Sequence, residues 1–184
     1  MGVTGAILSG GMSRRMGVPK AGLLLPDGRS MIETVRDTLR AFCDDVVLLG
    51  GAFGLEGHRV LKDVRDDTGP LAGIEVLLAS GIGERYLVVP CDMPRFKQAT
   101  ARRLLDVDDG VRSSFLAGHP LPCMVESSLH PDLVDAIDEG VRAVRSWHER
   151  IGSLEIELDG SIDDDVDTPE EFKALWSSLT REEA

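Results

Sequence analysis

Short, continuous apolar runs separated by helical patterns constrain this chain more than any other feature. Gly2 to Ser9, Val46 to Leu49 and Tyr86 to Pro90 are apolar without alternation, the pattern of strands covered on both faces. Arg59 to Leu61 reads as another short strand. Between these runs, Ser30 to Phe42 carries Ile32, Val35, Leu39 and Phe42 at helical spacing behind a Ser30–Glu33 capping box. Gly69-Pro70-Leu71-Ala72-Gly73 opens a second helix reaching about Ala79, and a third covers about Lys97 to Val107. Strands alternating with helices imply βαβ units, so the expected fold is α/β: three αβα layers on a mainly parallel sheet.

The second half is less regular. Ser113 to Leu116 and Cys123 to Glu126 read as strands around a Gly118-His119-Pro120 turn. Helices are expected near Asp132 to Ile137 and Val141 to His148, followed by an alternating strand from Ser153 to Leu158. Thr168-Pro169-Glu170-Glu171 supplies an N-cap, a proline at the first helical position and a second capping box. It starts a closing helix to about Leu179. With no repeat or linker in 184 residues, one domain spanning 1–184 is the simplest organisation.

Charge narrows the partners. The 32 acidic and 20 basic residues leave a net charge of −12, which repels nucleic acid phosphates. No apolar run of about 18 residues exists to span a membrane. No secretory signal is visible, and Ala6 stands where a myristoylation motif needs Ser or Thr, so a cytoplasmic location is expected. Cys43, Cys91 and Cys123 are odd in number and far apart, which disfavours a disulfide framework or a structural zinc site. They read as small apolar side chains.

Against that acidity, positive charge gathers in one place. The first strand runs into Gly10 and Gly11, and Arg14, Arg15 and Lys20 follow within one loop. Glycines let the backbone approach an anion, turn amides donate to it, and the cations add charge-assisted bonds. The loop is not a Walker A motif, because no Gly-Lys-Ser/Thr follows at the required spacing. Nor is it the dinucleotide fingerprint, whose later glycine positions hold Met12 and Arg15. At the other end of the argument, Asp92 closes the apolar run at Tyr86 to Pro90. Ligands of open α/β sheets bind at that end of a strand, and a carboxylate there suits magnesium bridging nucleotide phosphates.

Four stretches carry a resemblance. "LSGGMSRRMGVPK", Leu8 to Lys20, resembles the signature L-x-G-G-x-x-x-R-M-G-x-x-K of the MobA-like nucleotidyltransferases. "LKDVRDDTGPLAG", "YLVVPCDMP" and "DVDTPEEF" resemble the guanylyl branch of that family, in the same order and across the whole chain. The resemblance implies a glycosyltransferase-A-like, Rossmann-related fold and a nucleotidyl transfer dependent on Mg²⁺. It makes GTP the donor and Mo-bound molybdopterin the acceptor, with the guanine dinucleotide cofactor and pyrophosphate as products. Transient contacts with other molybdenum cofactor biosynthesis proteins or molybdoenzymes follow from the same likeness.

Carried over residue by residue, it makes Arg15, Lys20 and Asp92 catalytic. Leu8, Ser9, Gly10, Gly11, Asp63, Gly69, Pro70, Leu71, Ala72 and Gly73 join Lys20 and Asp92 in holding the nucleotide, and Asp92 with Asp167 would hold the metal. Asp66 and Asp67 adjoin Asp63, and the three also read as a solvated acidic turn. Two departures stand out. Asp165 and Asp167 replace asparagines usual in the closing motif, and Leu49-Gly50-Gly51 replaces an asparagine that often helps hold the nucleotide. His119-Pro120 resembles an acceptor-side turn. Arg142, Arg145 and Arg150 with Trp147 read either as a surface for a phosphorylated pterin or as a solvated helix face. Cytidylyl transfer to molybdopterin, guanylyl transfer to phospholactate, nucleotidyl transfer to a sugar phosphate and a non-catalytic nucleotide-binding module remain the alternatives.

Overall fold

The computed structural model describes residues 2–10, 20–65, 68–157, 166 and 168–182. Its strands are β1 (Val3–Leu8), β2 (Asp45–Leu49), β3 (Arg59–Leu61), β4 (Arg85–Pro90), β5 (Ser113–Leu116), β6 (His119–Glu126) and β7 (Leu154–Ile156). The helices are α1 (Met31–Arg40), α2 (Pro70–Ala79), α3 (Gln98–Leu105), α4 (His130–Asp138), α5 (Val144–Ile151) and α6 (Pro169–Glu182). One seven-stranded sheet joins the strands in the order β3-β2-β1-β4-β6-β5-β7. β1 runs parallel to β2 and β4, β2 to β3, and β5 to β7. β6 alone is reversed, pairing antiparallel with both β4 and β5. The expected mainly parallel α/β sheet is therefore present.

Alternate residues of each strand feed opposite faces, as the pleat requires. Ala6, Val47, Leu49, Tyr86, Val88 and Val125 meet α2, α4 and α5 in one core. Ile7, Val46, Leu48, Leu87, Val89 and Met124 meet α1 and α3 in the other. Both faces being covered explains why the strands show no polar alternation in sequence. A third cluster, with Leu25, Met31, Val166 and Leu175, seats the closing helix α6 against the start of α1.

Both capping boxes form. Ser30 Oγ accepts from Glu33 N while Glu33 Oε2 accepts from Ser30 N at 2.7 Å. Thr168 Oγ1 accepts from Glu171 N at 3.2 Å, and Thr168 N donates back to Glu171 Oε2 at 2.8 Å. The three cysteines are free, and burial pushes each thiol up to about 12.

Three local expectations need correction. His119 and Pro120 belong to β6 rather than to a turn, since Leu116 pairs with His119 across a two-residue connection. The helix expected at Val141 starts instead at Val144, because Ala143 is extended and caps it. The last strand is Leu154–Ile156, shorter than the alternation suggested.

Candidate active site

The carboxyl ends of β1, β2, β3 and β4 lie side by side, and most of the sequence-identified residues collect there. Leu8 is level with Leu49 on one side and Pro90 on the other. Cys91 N donates to Leu8 O at 3.0 Å, so the chain leaving β4 stays beside β1 and delivers Asp92 to the sheet edge. Lys20, on a short 3-10 turn at Lys20–Gly22, reaches across to it: Lys20 Nζ donates to Asp92 Oδ2 at 3.0 Å. Their side chains are 12% and 20% exposed, so the pair is shielded but open to the crevice.

The closing motif arrives at the same point. Val166 N donates to Asp92 O at 3.0 Å, and Val166 itself is buried. Arg95, three residues beyond Asp92, donates to Ser178 Oγ on α6 and fastens that helix to the loop after β4. Gly11, Arg14, Arg15, Asp165 and Asp167 lie outside the described residues.

Next to this pair, the loops after β1 and β2 are held in close backbone contact. Ser9 N and Gly10 N both donate to Leu49 O at 2.9 Å. Ser9 Oγ donates to Gly51 O at 2.7 Å and lies 3.0 Å from Leu49 O. A side chain on Gly50 would put its Cβ 2.4 Å from the Gly10 Cα, and Gly50 also has φ +104°. Gly50 is thus required both by sterics and by its left-handed backbone. At the Leu49-Gly50-Gly51 departure, the backbone of Gly10 occupies the space a side chain on Gly50 would need.

Asp63 completes this edge. Its Oδ2 would be 3.9 Å from a Cβ on Gly10, which sets the carboxylate beside the glycine loop. It faces solvent, yet enough protein surrounds it that desolvation raises its pKa above the usual carboxylate range. No positive side chain among the described residues offsets that rise.

The GPLAG segment divides by residue. Gly69 takes φ +58° at the N-cap and Pro70 begins α2, so the helix points its N-terminal amides outward at this level. Leu71 and Ala72 are buried, so their side chains serve the core. Gly73 serves packing: an added Cβ would lie 3.0 Å from Leu8 and 3.3 Å from Leu49, so its absence lets α2 sit close on the sheet.

The basic and aromatic group near α5 does not form one surface. Trp147 is fully buried. Arg142 donates to the carbonyls of Ile137 and Val141, Arg145 to Gly118 O, and Arg150 to Glu139. Buried Trp147 and dispersed arginines leave no stacking face for a pterin. Sequence reasoning missed His148, which is also buried. Its Nε2 lies 3.0 Å from Pro120 O and its Nδ1 2.8 Å from Ser153 Oγ, while the ring stacks on Phe115 at 4.5 Å. Burial lowers its pKa to about 4, so it is neutral, with Nε2–H donating to Pro120. A lone histidine on an amphipathic helix carries no sequence signal for such a role.

A cavity of about 370 Å³ opens at the opposite end of the sheet, where Ser113 begins β5 and Ser153 precedes β7. None of the sequence-identified site residues lines it.

The donor set at Asp92 fits a hard divalent cation. Carboxylate oxygen is the ligand magnesium takes, and no cluster of three or more His, Cys, Asp or Glu gathers among the described residues. One or two carboxylates, with substrate phosphates filling the remaining positions, is the way magnesium is ordinarily held at nucleotide sites.

Six strands in one direction, a reversed β6, and a cation–carboxylate pair at the carboxyl edge define a nucleotidyltransferase-type α/β protein, in which ligands bind at that edge. The chain belongs to the MobA-like NTP transferase domain family, whose model matches residues 5–151. A molybdenum cofactor guanylyltransferase from Desulfosudis oleivorans is 39% identical over 106 residues, 56% of this chain and 52% of that protein. The chain thus spans about half the length of that curated relative. The same-named protein of Shewanella halifaxensis is 27% identical over 98% of this chain and 96% of its own. Among solved structures, molybdopterin-guanine dinucleotide biosynthesis protein A from Archaeoglobus fulgidus shares the fold, with TM-score 0.81 at 22% identity, covering 97% and 99% of the two chains. A Mycobacterium tuberculosis protein solved as a complex with manganese has TM-score 0.71 at 24% identity, over 97% and 100%.

Proposed function

We propose that this chain transfers GMP from GTP to the terminal phosphate of Mo-bound molybdopterin, forming the guanine dinucleotide cofactor and releasing pyrophosphate. The observation that carries this reading is the 3.0 Å approach of Lys20 to Asp92 at the carboxyl end of β4. A cation from the glycine loop and a carboxylate from a central strand end converge where a triphosphate would lie. The names of the curated relatives supply the donor and the acceptor.

An oxygen of the acceptor phosphate attacks the α-phosphorus of GTP, and the bond from that phosphorus to the β-bridging oxygen breaks. The electron pair leaves with pyrophosphate. Such a reaction asks the protein for positioning and charge neutralisation rather than covalent chemistry. Lys20, with Arg15 from the same loop, balances charge building on the leaving pyrophosphate. Backbone amides of the Gly10 loop and the α2 start hold the nucleotide. Asp92, with Asp167, would hold Mg²⁺, which when bound neutralises charge across the phosphates. The manganese complex of the Mycobacterium tuberculosis neighbour supports a divalent ion in this fold.

A panel of GTP, CTP, ATP and UTP, each with magnesium and a molybdopterin source, tests the proposal by pyrophosphate release. Release with GTP well above the other three is expected. A preference for CTP, or binding of GTP without release, would overturn it.

A further inference from the structure

Arg65 lies between β3 and α2, two residues after Asp63 and four before Gly69, and its partners are on α2 and α4 rather than at Lys20 or Asp92. Arg65 Nε donates to Glu75 Oε1 on α2 at 2.9 Å, and Arg65 Nη1 donates to Asp138 Oδ1, the last residue of α4. Glu75 is a carboxylate inside the protein, 5% exposed, and its Oε2 is buried with no partner among the described residues. A buried carboxylate with half its oxygens unsatisfied is costly unless a cation stays beside it. Arg65 is that cation. The guanidinium fork can serve two carboxylates at once in a fixed plane, which an ammonium cannot.

The same segment meets the α4–α5 connection at a second point. Gly69, the α2 N-cap at φ +58°, would bring an added Cβ to 3.9 Å from Arg142 O. Arg142 in turn donates to Ile137 O at the end of α4. Arg65 and Gly69 therefore both sit against the end of α4 and its connection to α5, with Asp63 exposed two residues before Arg65.

The geometry points to Arg65 as a positioning residue: by neutralising Glu75 and bridging to Asp138, it holds Asp63 on one side of it and the Gly69-Pro70 helix start on the other in place for the nucleotide. This rests on the nucleotide site proposed above. Loss of the bridge lets Asp63 and the α2 start leave that placement, and the apparent nucleotide affinity falls by the fraction of molecules that keep it. Neither end of the bridge lies on the strands β4 to β7.

Three full-length proteins separate positioning from simple support of the fold: wild type, Arg65→Met, and Arg65→Met combined with Glu75→Met. The double variant removes the orphaned charge and replaces the pair with apolar side chains of similar size. Arg65→Met is expected to lower the melting temperature and to weaken GTP binding in magnesium about tenfold, the result of that placement being kept in roughly one molecule in ten. In the double variant the melting temperature recovers while the GTP dissociation constant and KM stay raised, with KM for the acceptor near wild type. Recovery of GTP affinity together with the melting temperature would overturn the inference, as would wild-type GTP binding in Arg65→Met. Amide exchange at Leu71 and Ala72 keeps the two readings apart. If the wild-type chain binds no triphosphate, the proposed function fails. Faster exchange at those amides in the double variant still supports the clamp, and unchanged exchange overturns it.

Discussion

Asp92 owes its position to two backbone bonds, one made by its neighbour Cys91 to β1 and one accepted by its own carbonyl from Val166. The sheet and the closing motif thus fix the backbone that carries the carboxylate, and an isosteric change should leave that backbone in place. Asp92→Asn is expected to keep the melting temperature within a few degrees of wild type and to lower pyrophosphate release by roughly 10³-fold, the scale of losing a group that stabilises developing charge. Steady-state rates at saturating GTP and magnesium check this. A variant that turns over within tenfold of wild type would remove Asp92 from the chemistry. The position is legible in the sequence because a run of five apolar residues, Tyr86 to Pro90, leads through Cys91 to a single acid, and the carboxyl edge of an α/β sheet is where ligands bind. That Lys20 and Asp92 share one site is implied by the resemblance, whereas their direct contact joins residues separated by 72 positions and is not written in local spacing.

At the level of elements, the loops after β1 and β2 are one unit, because Gly10 and Gly50 share a space that admits no side chain. Gly50→Ala combines a left-handed backbone with a Cβ at 2.4 Å from another backbone atom. The backbone cost alone is about 2 kcal/mol, or about 4–8 °C in melting temperature for a chain of this size. The substitution is expected to reach at least that and to weaken GTP binding, because relief of the clash must move the Gly10 loop. Thermal melts with and without GTP and magnesium check both parts. Much of this architecture could be read from sequence. Period and caps placed β1, α1, β3 and α2 to within a residue or two, since apolar runs, Ser30–Glu33 and Gly69-Pro70 are local signals. The region from Gly118 to Trp147 was read less well. His119 and Pro120 carry turn composition but are drawn into β6 by pairing with β5, and the arginines near α5 share a helical spacing although their partners divide between the end of α4 with its connection to α5 and the β5–β6 turn. Such contacts depend on the tertiary arrangement, which spacing along the chain does not encode.

The molecule as a whole divides its labour across the sheet. β1 to β4 bring the nucleotide edge together, whereas β5, β6 and β7 form a flank whose coherence depends on one buried histidine. His148 touches β6 through Pro120, β5 through Phe115 and Ser113, and the start of β7 through Ser153. Only the neutral ring satisfies this arrangement, with Nε2–H given to Pro120 and Nδ1 accepting from a serine hydroxyl. The folded pKa of about 4 lies below the ordinary 6.5. Between those values the unfolded chain takes up a proton that the folded chain refuses. The stabilisation from His148 is therefore fully present above about pH 6.5 and is lost as the pH falls towards 4, a span worth on the order of 3 kcal/mol. His148→Phe keeps a ring against Phe115 but leaves Pro120 O and the two serines without this partner. It should lose about 2 kcal/mol at pH 7, and its stability should fall less steeply than wild type between pH 6.5 and 4.5, because the titrating group is gone. Urea midpoints for both proteins across that range supply the comparison. Two curves that descend in parallel would show that acid destabilisation comes from carboxylates elsewhere and that His148 titrates alike in the folded and the unfolded chain.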